Sequence, residues 1–120
     1  TRLINMIFLL IFLSSVVKKK NSRTLFHSDI TQSIGKEYLD FSKLSNVDAF
    51  SFSAHKVYSP KGLGLLIIKK NISPALSSAG GQEYGIRGGT QALPLIMAFC
   101  NSLEYVYKNK ESINYRKVRL

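Results

Sequence analysis

The chain has 120 residues, 45% of them hydrophobic, which suits one small domain or a piece of a larger one. Lysine and arginine number 17 against 7 acidic residues, which gives a formal charge of +10. The basic residues form short scattered groups and have no zinc-finger or basic-zipper spacing, so we expect no nucleic-acid partner. One cysteine excludes an internal disulfide, and with two histidines it lacks the spacing of a zinc site.

The first element is an apolar segment, Leu3 to Val17, which ends at the basic run Lys18-Lys19-Lys20. It is shorter than the roughly 20 residues that cross a bilayer, and in a signal peptide the basic residues come first. A buried helix or strand, a divergent sequence, and a membrane or targeting element all stay open. Lysines suit the carboxyl end of a helix, so we expect residues 14–21 to end one. Since the chain starts at Thr1 and stops abruptly at Leu120, we expect a fragment.

Three runs have the composition of short strands and are separated by turn-forming residues. The predicted strands are Thr24 to Ser28, Val47 to Phe52 and Gly64 to Ile68. Between them, residues 31–36 are predicted to form a turn around Gly35, and Asp40 to Leu44 a single helical turn. Residues 71–81 are predicted to be a loop.

A helix is predicted after the glycine-rich residues 85–89. Thr90 is the expected N-cap, and Pro94 falls in the first turn, where its missing N–H costs little. Helical spacing predicts one apolar face, formed by Leu93, Met97, Cys100, Leu103, Val106 and Tyr107. Cys100 is therefore expected to pack as a small hydrophobic residue and to have no catalytic role.

Three segments carry residues that could do chemistry. In the first, Asp29 leaves a strand and Gln32 follows three residues on, a pair that can clamp a planar polar ring. The second, Ser53 to Lys56, offers a hydroxyl, an imidazole and an amine, which suit a phosphate and an adjacent carbonyl. The third, Gly80 to Thr90, has glycines that let backbone N–H groups approach an anion, next to a helix N-terminus.

Each of these features has an ordinary alternative when taken alone. Asp29 could be a turn residue and His27 a core histidine. Lys56 could be a solvated surface lysine, and the glycines plain turns.

Together, the three segments resemble the pyridoxal-phosphate-dependent cysteine desulfurases of the class V aminotransferase superfamily. The matching stretches are FHSDITQSIGK, VDAFSFSAHKVYSPKGLGLL and GGQEYGIRGGT, in the order of that family, and the resemblance runs from Thr24 to Tyr107. It implies an α/β fold: a piece of the large cofactor-binding domain of a fold-type I enzyme, with a mainly parallel sheet and flanking helices. Residues 21–120 would belong to that domain, and residues 1–20 would be a divergent apolar segment and helix end.

The resemblance implies a role for each matching site residue. Lys56 would be the catalytic residue and would bind pyridoxal 5'-phosphate as a Schiff base. Asp29 would pair with the protonated ring nitrogen, and Gln32 would hydrogen-bond the ring hydroxyl oxygen. Ser53 and His55 would bind the phosphate.

The resemblance also implies partners. Thr90 would reach the phosphate held by the partner subunit of a homodimer, while Arg87 is assigned no contact. The substrate would be L-cysteine, and the sulfur would pass to an acceptor or iron–sulfur scaffold protein for cluster or thio-cofactor assembly. No membrane partner is expected, and the location would be the cytoplasm or an organelle such as a mitochondrion or plastid.

Parts of the family's active site are expected to lie outside this chain. Its sulfur-carrying cysteine follows the lysine at a greater distance, and Cys100 is not in its place. We therefore expect these 120 residues alone to be inactive and of low stability. The alternatives are another class V member, such as a selenocysteine lyase or a kynureninase-like protein, and a small basic membrane-associated protein anchored by Leu3 to Val17.

Overall fold

The computed structural model describes residues 6–36, 39–72 and 80–109. Its helices are α1 (Met6–Lys20), α2 (Gln82–Gly85, one distorted turn) and α3 (Leu93–Lys108), and its strands are β1 (His27–Asp29), β2 (Ala49–Ser53) and β3 (Gly64–Ile68). Two 3₁₀ turns complete it, Phe41–Leu44 and Ala54–Val57, and we call the second the lysine turn. Most of the predicted 71–81 loop and the start of the apolar segment lie outside the described residues.

The three strands form one mixed sheet in the order β1-β2-β3. Strands β1 and β2 are parallel, with Asp29 opposite Ser51. Strands β2 and β3 are antiparallel, with Ser53 opposite Gly64. The expected α/β class is confirmed, and the carboxyl ends of β1 and β2 meet at one edge of the sheet.

The first strand is displaced from its predicted position. It begins at His27 instead of Thr24, because two backbone groups before it, the Phe26 N–H and the Thr24 carbonyl, are taken by side chains. Phe26 N–H donates to the Asp48 carboxylate at 2.8 Å, and the Lys18 amine donates to the Thr24 carbonyl at 2.8 Å. Strand β2 likewise begins at Ala49, after this network, while β3 has the predicted bounds.

One face of the sheet forms the core. Phe50 and Phe52 are buried on it, and the Phe52 ring packs against Phe99 of α3 with centroids 5.8 Å apart. The opposite face carries His27 and Asp29 of β1 with Ser51 and Ser53 of β2, and we call it the polar sheet face. This alternation follows from the two-residue period of strands and separates core from candidate site.

The apolar segment is helical, as one of its three interpretations proposed. Its inner residues Ile7, Leu10 and Ile11 pack against the core, whereas Phe8 and Phe12 are exposed. Helix α1 ends at Lys20, as predicted. Among the residues that the structure describes, no helix has the length and apolar character to cross a membrane.

Two expectations about α3 were wrong. The helix begins at Leu93 with Ala92 as N-cap, so Thr90 lies before the cap, although Pro94 does fall in the first turn. Cys100 is exposed, because the inward direction is set by Phe99 and Val106, which are seven residues apart and buried. Of the other residues predicted for the apolar face, Leu103 packs against the core, while Leu93, Met97 and Tyr107 are largely exposed.

Candidate functional site

Two predicted site residues meet at the carboxyl edge of the sheet. Asp29 ends β1 and Ser53 ends β2. Thr31 joins the two exits: its N–H donates to Asp29 Oδ1 at 2.8 Å, and its Oγ1 accepts from Ser53 N–H at 3.1 Å. The sequence analysis did not single out Thr31, although a polar residue two positions after a strand-exit aspartate is typical of an Asx turn.

The same contacts set the charge of Asp29. Hydrogen bonds from the Thr31 hydroxyl and from the Thr31 backbone N–H lower the pKa of Asp29 below its ordinary value of 3.8. Burial acts to raise this pKa, and His27 and Ser51 each lower it further. Asp29 is exposed and stays ionised at neutral pH, so it can hold a cationic group at the edge of the sheet.

The lysine turn follows Ser53 directly. Ala54 and Val57 are buried, while His55 and Lys56 are exposed. Tyr58 ends the turn in a left-handed conformation (φ 65°), which is costly for a residue with a β-carbon. The turn thus presents the imidazole and the amine together, immediately beyond the strand exit.

The lysine turn packs closely against a glycine, Gly35. Gly35 has φ +74°, and a β-carbon there would lie 2.9 Å from Val57 Cγ1 and 3.0 Å from Val106 Cγ1. Only a residue without a side chain lets the 31–36 turn, the lysine turn and α3 approach this closely.

Gly35→Ala should therefore lower the free energy of unfolding by roughly 1–3 kcal/mol, through overpacking and an unfavourable φ. Gly81→Ala is the matched control, since Gly81 has φ −107° and a β-carbon added there would meet no atom within 4 Å. Urea unfolding of both variants tests this. Equal stability of the two would contradict the packing argument.

The remaining predicted residues have local contacts. Gln32 Oε1 accepts from the Lys36 amine at 3.0 Å, one turn away. Arg87 Nη1 donates to the carbonyl of Gly88 at 2.7 Å, within its own loop. Thr90 is exposed in the segment before α3. None of these contacts joins the third segment to the strand exits, and the roles of Gln32 and Thr90 stay predictions.

A buried carboxylate, Asp48, organises the opposite end of β2. It pairs with Lys18 of α1 and with Lys69 after β3 (2.9 Å), and accepts from Phe26 N–H. Burial acts to raise the pKa of Asp48, but the two lysines and the Phe26 N–H outweigh it and lower that pKa to about 2. In the sequence, Asp48 stands out as a charged residue inside a mostly apolar strand run, but the strand prediction did not consider it.

The side chains of the polar sheet face form a cluster of donors and acceptors. His27 is exposed, so its interpretation as a core histidine was wrong, and its Nε2 lies 2.9 Å from Ser51 Oγ. In the part of the chain that the structure covers, no three His, Cys, Asp or Glu residues lie close enough to hold a metal ion. This face offers a carboxylate, hydroxyls and an imidazole, and the lysine turn that follows it adds the Lys56 amine. Together these groups suit an organic phosphate with a cationic ring.

Ser59, three residues after Lys56, is a further polar group in this region. It is buried, and its Oγ has no hydrogen-bond partner among the described residues.

Comparison with known proteins shows what this chain is similar to. The Aminotransferase class-V family model matches residues 10–119. A curated relative, "Cysteine desulfurase IscS" of Rickettsia africae (strain ESF-5), is 43% identical over 98 residues, which span 75% of this chain and 23% of the relative. "Cysteine desulfurase, mitosomal" of Encephalitozoon cuniculi (strain GB-M1) is 40% identical over 93 residues, 74% of this chain and 21% of the relative.

A solved structure has the same fold. The protein titled "NIFS-LIKE PROTEIN" superposes with a TM-score of 0.77 at 41% identity, covering 86% of this chain and 28% of that one. The chain spans about a quarter of the length of the curated relatives that it matches.

Proposed function

Because the chain belongs to the aminotransferase class-V family, we propose that it is the cofactor-holding part of a cysteine desulfurase. Such an enzyme takes sulfur from L-cysteine, leaves alanine, and supplies iron–sulfur cluster or thio-cofactor assembly. Two curated relatives, at 43% and 40% identity, are named cysteine desulfurases, which favours cysteine over selenocysteine or kynurenine as the substrate.

One observation supports this proposal most. The exits of β1 and β2 are tied together through Thr31, so that the Asp29 carboxylate and the start of the lysine turn share one edge of the sheet. In parallel α/β sheets, ligands bind at this edge. If Lys56 stood in an ordinary solvated turn and Asp29 were unrelated to it, no hydrogen-bonded link between the two strand exits would be needed.

The cofactor we propose is pyridoxal 5'-phosphate, and the residues present fit it. Lys56 would hold it covalently, and its exposed position allows its amine to reach a carbonyl. Asp29, kept ionised by Thr31, would hold a proton on the ring nitrogen. When bound, this cofactor supplies an electron sink for charge that develops on the substrate.

Further groups would orient the cofactor. Ser53 and His55 would bind its phosphate from the first turn after β2, and Gln32 its ring hydroxyl oxygen. Gln32 would first have to leave Lys36, a rearrangement of one exposed side chain. Lys56 Nζ, once released, can accept and return a proton as a general base.

The finer assignments concern the assembled enzyme. Thr90 would contact the phosphate held by the partner subunit of a homodimer, and an acceptor or scaffold protein would receive the sulfur. The names of a bacterial and a mitosomal relative support the cytoplasm or an iron–sulfur-assembling organelle as the location.

The test is retention of the cofactor by this chain. Mixed with pyridoxal phosphate and passed through a desalting column, the chain should keep a visible absorbance band, whereas pyridoxal without the phosphate should be kept far less. With L-cysteine added, the chain alone should form no alanine, while a longer protein containing it should. No retained band would contradict the cofactor role, and alanine formed by the chain alone would contradict the partial active site.

A further inference from the structure

The polar sheet face joins two strands through a histidine and a serine. His27 stands two residues before Asp29 on β1, so both side chains project from the same face. On the paired strand, Ser51 lies opposite Asp29 in the parallel register. His27 Nε2 is 2.9 Å from Ser51 Oγ, which is a good hydrogen-bond distance.

The direction of this hydrogen bond decides what Ser51 can do. A hydroxyl has one proton, so Ser51 can donate either to His27 or to Asp29. If His27 Nε2 carries a proton, it donates to Ser51 Oγ, and the Ser51 hydroxyl is left to donate to the carboxylate. An ionised carboxylate only accepts, so this arrangement satisfies all three groups.

We propose that His27 is a positioning residue that holds the Ser51 hydroxyl toward Asp29, in a chain running from His27 Nε2–H through Ser51 Oγ–H to the carboxylate. The proposal rests on the role of Asp29 at the cofactor ring. Thr31 holds Asp29 from the loop side. Ser51, which lies opposite Asp29 in the register, would hold it from the strand side, so that the carboxylate is held from two directions.

This arrangement would complement the proposed chemistry. A carboxylate that accepts two or three hydrogen bonds stays ionised and keeps a fixed orientation. On β1 and β2, His27 and Asp29 are the titratable groups of the polar sheet face. On β3, the other neighbour of β2, the residue opposite Ser51 is the apolar Leu66. Removal of the histidine donor would free Ser51 to turn away and would leave Asp29 with the Thr31 contacts alone.

The first test uses the chain without cofactor. Nitrogen-15 NMR of the histidine rings should find His27 as the Nε2–H tautomer when neutral. Carbon-13 NMR should show a higher Asp29 pKa in Ser51→Ala than in wild type, and a higher Asp29 pKa in His27→Phe than in His27→Gln, since both histidine variants remove the imidazole charge. His27→Gln is the matched control, since its side-chain amide can donate from about the position of Nε2. A neutral His27 with its proton on Nδ1, or an equal Asp29 pKa in His27→Phe and His27→Gln, would overturn the proposal.

The second test uses the chain with pyridoxal phosphate. His27→Phe should bind it about threefold to tenfold more weakly, the effect of one hydrogen bond, and His27→Gln should restore most of the affinity. Equal binding by wild type and His27→Phe would overturn the positioning role while leaving the proposed function standing. If the wild-type chain retains no cofactor, the proposed function fails, and the NMR test still decides whether the chain from His27 to Asp29 exists.

Discussion

Replacement of Asp48 by asparagine should lower the free energy of unfolding by about 3 kcal/mol at pH 7, the lower end of the cost of breaking a buried ion pair. The Asp48 side chain is 6% exposed and Lys18 is 17% exposed, so loss of the carboxylate charge leaves a largely buried ammonium without its counter-ion. Asparagine preserves the shape and can keep an acceptor for Phe26 N–H, while its Nδ2 donor would face the Lys69 ammonium, so the change removes the charge together with one acceptor. Urea unfolding followed by circular dichroism measures the effect.

The same interaction predicts a pH dependence. The pKa of Asp48 is about 2 in the folded chain against an ordinary value of 3.8, so its stabilisation is present above about pH 4 and is lost as pH falls toward 2. The difference in stability between wild type and Asp48→Asn should therefore be constant from pH 5 to 7 and should shrink below pH 4. A difference that grows in acid would contradict the assignment of charge.

Two further variants keep this prediction testable if Asp48→Asn fails to fold. Lys69→Met removes the more exposed partner (38%) and should be milder, because Lys18 still balances the carboxylate. Glu104→Gln breaks a fully exposed pair with Lys108 and should not change the unfolding midpoint. Equal effects of Asp48→Asn and Glu104→Gln would show that burial of the pair adds no stability.

Lys56→Ala should abolish covalent cofactor binding completely. The exposed amine of Lys56 is the group we propose to bond to the cofactor, and no change at Asp29 or Ser53 can replace a missing nucleophile. In a longer, active enzyme, the substitution should lower alanine formation by at least about a thousandfold, since it also removes the general base. The retained visible band measures the first effect, and alanine analysis the second.

Lys61→Ala is the matched control for this experiment. Lys61 is also exposed and lies in the same loop, five residues further on, so it has a similar chance of a nonspecific reaction with an aldehyde. Only Lys56→Ala should lose the band, and both proteins should keep the wild-type circular dichroism spectrum. Loss of the band in Lys61→Ala with its persistence in Lys56→Ala would reassign the lysine.

Where local pattern decides structure, the sequence predicted it well. Strand β3 has the predicted bounds, the single helical turn predicted from Asp40 to Leu44 is present as Phe41–Leu44 with Asp40 as its cap, and Pro94 falls in the first turn of α3. These features depend on neighbouring residues: a compact apolar run, a side chain that accepts from an N–H two residues on, and a ring without a donor.

Where long-range contacts decide, the sequence prediction was wrong or silent. Strand β1 starts late because Asp48, 22 residues away, takes the Phe26 N–H. Cys100 is exposed because Phe99 is the residue that meets β2, and spacing alone did not choose between adjacent positions. Likewise, the joining role of Thr31 appears only when the exits of β1 and β2 are side by side.

The most direct test of the central claim is to map where pyridoxal phosphate attaches. The chain is incubated with the cofactor, the bond is trapped by borohydride reduction, and the digested peptides are analysed by mass spectrometry. We expect the adduct on the peptide that contains Lys56, at a yield far above that of the other exposed lysines. An adduct spread evenly over Lys19, Lys20 and Lys61, or absent from Lys56, would contradict the account.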